Sequence, residues 1–203
     1  MADFLVGNPV LIVVDMQVGG EDSGIPFMGG YDEQLAAAKL MVEAARRNAI
    51  PIVFIQEVHR PDHVDFGREL DGTETVHCID GHPSTAIDPA LGMRPDDYHI
   101  VKRRYSAFFG TDLEILLKGL KAQTLFLCGG LTDECVHYTF VDAPQHDSHA
   151  RVVVDACGGS TLARHEASLD AMEYLQTGAR CYHHDVVETF DAIGERQPRA
   201  AAS

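Results

Sequence analysis

Thr124-Leu-Phe-Leu-Cys-Gly-Gly-Leu-Thr-Asp-Glu-Cys-Val136 is the stretch whose reading decides the fold. Leu125 to Cys128 is a short apolar run of the kind that forms a strand covered on both faces. Gly129 and Gly130 let the chain turn sharply. Thr132-Asp133-Glu134 then reads as a helix opening, with Cys135 in its first turn. A thiol there faces the unpaired N–H groups and positive end of the helix, which favour a thiolate nucleophile. A buried cysteine filling space as a small hydrophobe fits the segment equally well.

Working outward, Val10-Leu-Ile-Val-Val14 is a second continuous apolar run, followed by Asp15-Met16-Gln17. Ligands of open α/β sheets bind beyond the carboxyl ends of the strands. Asp15 is therefore either a solvated turn residue or a functional carboxylate. Ile50 to Gln56, His99 to Lys102, Arg151 to Val154 and a weaker stretch near Ala179 to Tyr182 read as further strands. Between them, helical spacing of apolar residues predicts helices over Asp32 to Asn48, after Thr111, over about Asp133 to Ala143, and over Ala163 to Gln176. Thr111 and Glu114 have capping-box spacing at the start of the second of these. Such alternation predicts an α/β fold, three layers deep (α/β/α), with a mostly parallel central sheet of about six strands.

Gly19 to Gly30 reads as a loop and a candidate pocket wall. Residues 57–97 form a long irregular excursion rich in His, Asp, Gly and Pro, and loops of that length in compact domains are usually functional.

With 203 residues, 45% hydrophobic and 23% charged, the chain suits one globular domain, residues 1–203. The formal net charge of −15 argues against nucleic-acid and anionic-membrane partners. No apolar run approaches the ~20 residues of a membrane span, and Met1 to Pro9 lacks the features of a signal peptide. The five cysteines are scattered without a CxxC pair, so no disulfide framework or zinc knuckle is expected, and a reducing cytoplasm is. The tail from Gln197 to Ser203 is expected to fray. Neither a G-x-G-x-x-G after the first strand nor a P-loop is present, which sets aside dinucleotide and nucleotide binding of those kinds.

Asp15, Lys102 and Cys135 thus all stand at or just past strand ends. A carboxylate can take the thiol proton, an ammonium can favour the thiolate, and N–H groups of the glycine turn can hold an oxyanion. With these residues in place, the chain resembles the isochorismatase-like cysteine hydrolases, which include nicotinamidase, N-carbamoylsarcosine amidase and biuret hydrolase. The matching pieces are Leu11-Ile-Val-Val-Asp-Met-Gln17, Lys102-Arg-Arg-Tyr-Ser-Ala-Phe-Phe-Gly-Thr111, Gly129-Gly-Leu-Thr-Asp-Glu-Cys-Val136 and Asp155-Ala-Cys-Gly-Gly-Ser160.

The resemblance implies a triad of Asp15, Lys102 and Cys135 that hydrolyses a C–N bond of a small amide, carbamoyl or ureido compound through a thioester-type intermediate. It also implies a non-proline cis peptide at Gly130–Leu131, with the Leu131 and Cys135 N–H groups as the oxyanion hole. The triad requires no cofactor. Nicotinamidases, however, bind a divalent metal near the second strand, and Glu57, His59 and His77 stand in corresponding places as candidate ligands for zinc, manganese or iron. Glu replaces the family's Asp there. Arg60 and Arg68 can instead pair with Glu57 and Asp65 and leave the histidines as loop residues. Gln17, Phe66, Arg68, Tyr105 and Tyr138 are candidate substrate contacts, and a homodimer or homotetramer is implied. Two alternatives stand beside this reading: vinyl-ether hydrolysis of the isochorismatase type, and a non-catalytic binding module.

Overall fold

The computed structural model describes residues 4–19 and 25–196. Six strands form one all-parallel sheet in the order β3-β2-β1-β4-β5-β6. They are β1 Pro9–Val14, β2 Ile52–Glu57, β3 Tyr98–Lys102, β4 Thr124–Gly130, β5 His149–Gly158 and β6 Arg180–Cys181. Every residue of β1 is buried, as the unbroken Val-Leu-Ile-Val-Val run requires of a central strand with helices on both faces. The helices are α1 Tyr31–Arg47, α2 Leu113–Gly119, α3 Cys135–Gln145, α4 Leu162–Leu175 and α5 His183–Arg196. Helix α1 packs with α5 as one covering layer and α3 with α4 as the other. The three-layer α/β/α arrangement expected from the sequence is present.

Chain order reverses at β1: β2 and β3 lie to one side, β4, β5 and β6 to the other. The carboxyl ends of β1 and β4 therefore flank a topological switch point, where such sheets form clefts. Register adds the other strand ends. Glu57 pairs with Lys102 across β2 and β3, and Val14 pairs with Gly129 across β1 and β4.

Three features depart from the sequence reading. Helix α5 was not anticipated. It carries only Val186, Val187, Phe190 and Ile193 on its inner face, and it buries Val186 and Phe190, the latter edge-on against Phe126. Strand β5 runs past Asp155 to Gly158, because a bulge lets it regain pairing with β4 at Gly129↔Cys157. The capping box does not form: Thr111 Oγ1 accepts from Leu113 N at 3.2 Å, while Glu114 turns to Lys118. Within the loop Gly19 to Gly30, residues 20–24 lie outside the described residues, as does the tail from Gln197. No described helix is long and apolar enough to cross a membrane.

Candidate active site

The site is built where β1, β2, β3 and β4 end. Asp15 leaves β1 with φ 49°, a left-handed conformation that Asp tolerates, and its N–H is held by Ile55 O at 3.0 Å. Gly129, at φ 121°, cannot be replaced by a larger residue, since a Cβ there would lie 1.9 Å from Val14 O. The Gly130–Leu131 peptide is cis. Asp133 braces the turn by accepting from Ser160 N at 2.7 Å and from the Ser160 hydroxyl, and Thr132 Oγ1 meets His165 Nδ1 at 2.8 Å. Cys135 then becomes the first residue of α3.

This scaffold places one ammonium among three acidic groups. Lys102 Nζ, fully buried, lies 2.8 Å from Asp15 Oδ2 and 3.1 Å from Cys135 Sγ, and it donates to Glu57 Oε2. Cys135 Sγ is 3.4 Å from the same Glu57 oxygen. Asp15, Glu57 and Cys135 each offer an atom within 4.8 Å of the others.

Charge balance sets the protonation states. With Asp15 and Glu57 ionised and Lys102 protonated, the cluster already carries one net negative charge, and a thiolate would add a second. Burial therefore pushes the Cys135 thiol well above its ordinary value; Lys102 opposes this, but the two carboxylates reinforce it. The positive end of α3 works against this burial and the two carboxylates. The carboxylates themselves are driven apart. Burial raises Asp15 to about 6 against the pull of Lys102. Glu57 is also penalised by burial, but Lys102 and hydrogen bonds from His59 and His77 hold it well below the usual range. Asp15 is thus the stronger base of the two.

The other Glu57 oxygen belongs to a second cluster. Glu57 Oε1 lies 3.0 Å from both His59 Nε2 and His77 Nε2. Glu69, which sequence reasoning missed, closes the group, with carboxylate oxygens 3.7 Å from each of these nitrogens. His77 Nδ1 donates to Thr75 O at 2.6 Å, which fixes the ring and turns Nε2 toward the carboxylates, where it donates to Glu57 Oε1 and would give up that proton to a bound ion. Glu69 Oε2 is buried with no hydrogen-bond partner. Two imidazoles and two carboxylates around one point, with an orphaned oxygen and a fixed ring orientation, fit a divalent ion. Tetrahedral bonds of about 2.1 Å would hold such donors roughly 3.4 Å apart; the four imidazole–carboxylate spacings run from 3.0 to 3.7 Å, and all four donors lie within 4.8 Å of one another. Of the alternative pairing of Arg60 and Arg68 with Glu57 and Asp65, one part is present, Arg60 with Asp65 at 3.8 Å; Arg68 pairs with Asp71 instead, and neither arginine pairs with Glu57. Only proximity in the fold reveals Glu69, because nothing in its sequence neighbourhood has ligand spacing.

A cavity of about 520 Å³ opens onto both clusters. Among the expected substrate contacts, Gln17 and Tyr105 line it. Gln17 has its amide committed to Glu57 N, Glu57 O and Thr85 O at 2.7–3.1 Å, so it fixes the loop rather than presenting a free group. Phe66, Arg68 and Tyr138 do not line the cavity. Phe66 stacks behind His59 with ring centroids 3.8 Å apart, the Arg68 side chain is 91% exposed, and Tyr138 leans on Tyr105 from outside. Chain proximity puts these loop residues near the pocket but does not determine which way they point. Cys78, Glu74 and Glu134 do line it and were not anticipated. Cys128, Cys157 and Cys181 are buried in the core, as expected.

A buried cysteine, an ammonium and a carboxylate thus stand together at the switch point of a parallel sheet, and comparison with known proteins supplies the family. The isochorismatase domain profile matches residues 9–185, and the chain belongs to the isochorismatase family. It is a hydrolase by that membership. One relative, a ureidoacrylate amidohydrolase (RutB) of Methylorubrum extorquens, is 30% identical over 75% of this chain and 71% of its own. Another, named a probable inactive nicotinamidase, from Arabidopsis thaliana, is 30% identical over 83% of this chain and 89% of its own. Among solved structures, the pyrazinamidase of Pyrococcus horikoshii in complex with zinc superimposes with a TM-score of 0.75 at 26% identity, covering 86% of this chain and 98% of that one.

Proposed function

We propose that this protein is a cysteine-dependent hydrolase that cleaves a C–N bond of a small amide, carbamoyl or ureido compound. The observation that carries the reading is Lys102 Nζ held 3.1 Å from Cys135 Sγ and 2.8 Å from Asp15, directly behind the cavity that Cys135 and Asp15 line.

In the reaction, Cys135 Sγ attacks the carbonyl carbon while Asp15 takes its proton. Transfer to a base during attack suits a thiol whose burial disfavours a free thiolate. Charge developing on the carbonyl oxygen meets the N–H groups of Leu131 and Cys135, neither of which is spent on a backbone carbonyl among the described residues. Lys102 keeps the cluster from accumulating uncompensated negative charge. Asp15 passes the proton to the departing nitrogen, the C–N bond breaks, and ammonia or an amine leaves. Water activated by Asp15 then hydrolyses the thioester and returns the proton to the thiol.

Glu57, His59, Glu69 and His77 would hold a divalent ion such as zinc, manganese or iron. When bound there, it supplies a Lewis acid and a fixed positive charge beside the pocket. The zinc bound by the Pyrococcus horikoshii pyrazinamidase supports this reading of the cluster.

The test is ammonia release from a panel of amide, carbamoyl and ureido compounds. Turnover is expected for the native protein and loss of it for a folded Cys135→Ala variant. Full activity in that variant would remove cysteine catalysis. Silence of the native protein across the panel would favour the non-catalytic reading that the Arabidopsis relative's name raises. Turnover of isochorismate by Cys135→Ala would favour ether cleavage.

A further inference from the structure

The segment from Gly130 to Cys135 meets the cavity with its two ends. Gly130, Leu131, Glu134 and Cys135 line it, whereas Thr132 turns inward and is fully buried. Two bonds hold Thr132 there. Its N–H donates to Gly158 O at 2.8 Å, and its Oγ1 shares a hydrogen bond of 2.8 Å with His165 Nδ1. His165 stands in the first turn of α4, is 4% exposed and lines neither cavity. Its own place is set from two directions. His165 N donates to Thr161 O at 2.9 Å, and a Cβ on Gly159 would lie 2.9 Å from His165 Cβ, so α4 rests directly on the backbone that follows β5. Burial lowers the imidazole from its ordinary value, so it meets Thr132 as a neutral group.

The neighbouring links tie the same segment down. Leu131 O accepts from Glu134 N and Val136 N, each at 3.1 Å, and Asp133 accepts from Ser160 N at 2.7 Å. A buried hydroxyl needs a partner, and a bond made for stability alone would satisfy Thr132. The location of this one gives it a further consequence. Thr132 is the residue that follows Leu131, so any shift of Thr132 carries the Leu131 N–H with it. Reacting groups are sensitive to such shifts, a misplacement of about 1 Å being enough to cost about 10²-fold in rate.

We propose that His165 is a positioning residue for the oxyanion site: acting through Thr132, it holds the Leu131 N–H against the carbonyl oxygen without touching the substrate. This rests on the C–N hydrolase reading above, in which the N–H groups of Leu131 and Cys135 receive the oxyanion.

Two electrophiles separate positioning from mere stability. p-Nitrophenyl acetate acylates Cys135: Sγ bonds to the carbonyl carbon, Asp15 takes the thiol proton, and the oxyanion collapses as p-nitrophenolate leaves. Iodoacetamide alkylates the same sulfur: the S–C bond forms as the C–I bond breaks, iodide leaves, and no oxyanion arises. Release of p-nitrophenolate and the mass of the alkylated peptide report the two rates, with Cys135→Ala as the blank. In His165→Leu, acylation should fall about tenfold, part of the roughly 10²–10³ that loss of a whole oxyanion donor costs, while alkylation stays within about twofold. Thr132→Val, which keeps the shape of the buried side chain, should do the same, and the double variant should be no slower than either single one. His165→Asn, whose amide can stand in for Nδ1, should restore acylation to within about twofold of the native rate. Equal slowing with both electrophiles, additive single effects, or unchanged acylation in a folded His165→Leu would overturn the assignment. Should His165→Leu not fold, Thr132→Val and His165→Asn decide between the same outcomes. Native Cys135 that is alkylated, yet shows no preference for acylation beyond that of N-acetylcysteine, would remove the oxyanion site and the hydrolase reading with it. A native preference for acylation that His165→Leu retains would remove only the role of His165, so the two failures are distinguishable.

Discussion

Replacing Lys102 by methionine removes the one ammonium from the cluster and keeps the length of the side chain. The consequence can be worked from the geometry. Lys102 is fully buried, and its side chain touches Asp15 and Glu57, whose side chains are only 11% and 6% exposed. At the 2.8 Å separation from Asp15, an effective dielectric of about 20 gives an attraction of about 6 kcal/mol. Desolvation of the ions offsets much of this, yet removing one partner leaves the others buried and unpaired. Such losses run to about 3–5 kcal/mol. For a chain of this size that corresponds to a fall in Tm of about 6–20 °C.

The pH dependence has a definite sign. Lys102 is raised well above its ordinary value by Asp15, Cys135 and Glu57 against the opposing effect of burial. Its contribution is therefore complete below about pH 10 and lost only as the pH rises through the folded value. The Glu57 carboxyl, held low, contributes above its unfolded value near 4.5 and loses that contribution as pH falls. In Lys102→Met both carboxylates lose their cation, so the deficit should be largest near neutrality and shrink on acidification as they protonate. Urea denaturation followed by circular dichroism at about pH 7.5 and about pH 5, on either side of the raised Asp15 value, would measure it. A loss under about 1 kcal/mol that is the same at both pH values would refute the view that Lys102 neutralises two buried carboxylates.

The remaining predictions concern the base, the turn and the imidazole cluster. Because burial raises Asp15 to about 6 and the proposed reaction needs it ionised, kcat/KM should fall below about pH 6; as coupled groups titrate together, the midpoint belongs to the cluster. An Asp15→Asn variant that kept both the rate and that acid limb would contradict the assignment. Gly129→Ala should cost about 3 kcal/mol or more, because its Cβ would sit 1.9 Å from Val14 O in the central pairing of β1 and β4; an unchanged melting curve would contradict this. Glu69→Gln should lower the metal-to-protein ratio measured by elemental analysis after equilibration with zinc, and unaltered stoichiometry and affinity would remove Glu69 from the ligand set.

Much of this architecture was legible because it is written in local patterns. Apolar runs at Val10–Val14 and Leu125–Cys128 can be buried only by a sheet covered on both sides, and the polar residues that follow them necessarily emerge at its edge. Asp15, Lys102 and Cys135 were findable for that reason. Direction within the loop was not. Phe66 and Arg68 lie two residues apart, yet one packs behind His59 and the other points into solvent. Glu69 and Glu74 reach the cavity through irregular backbone that has no period from which to read a facing side. Helix α5 escaped for a different reason: four apolar residues on a short helix resemble a polar tail until β5 and Phe126 supply the surface they cover.

The position that most distinguishes this site is Glu57. A shorter aspartate at the end of β2 would serve the histidines and stop short of the Cys135 thiol. The additional methylene lets one carboxylate reach both, with Oε1 3.0 Å from His59 and His77 and Oε2 on Lys102 and 3.4 Å from Cys135 Sγ. The register of β2 and β3, which sets Glu57 directly beside Lys102, makes that reach possible. Any cation that draws electron density from Oε1 weakens Oε2 as an acceptor for Lys102 and for the thiol, so occupancy of the histidine cluster and the basicity at Asp15 are linked through one side chain. Glu57→Asp separates the two duties: the histidine cluster retains a carboxylate, whereas Lys102 loses one of its two. A drop in kcat that leaves zinc affinity intact is the expected result, and parallel loss of both would show that Glu57 acts as a ligand alone.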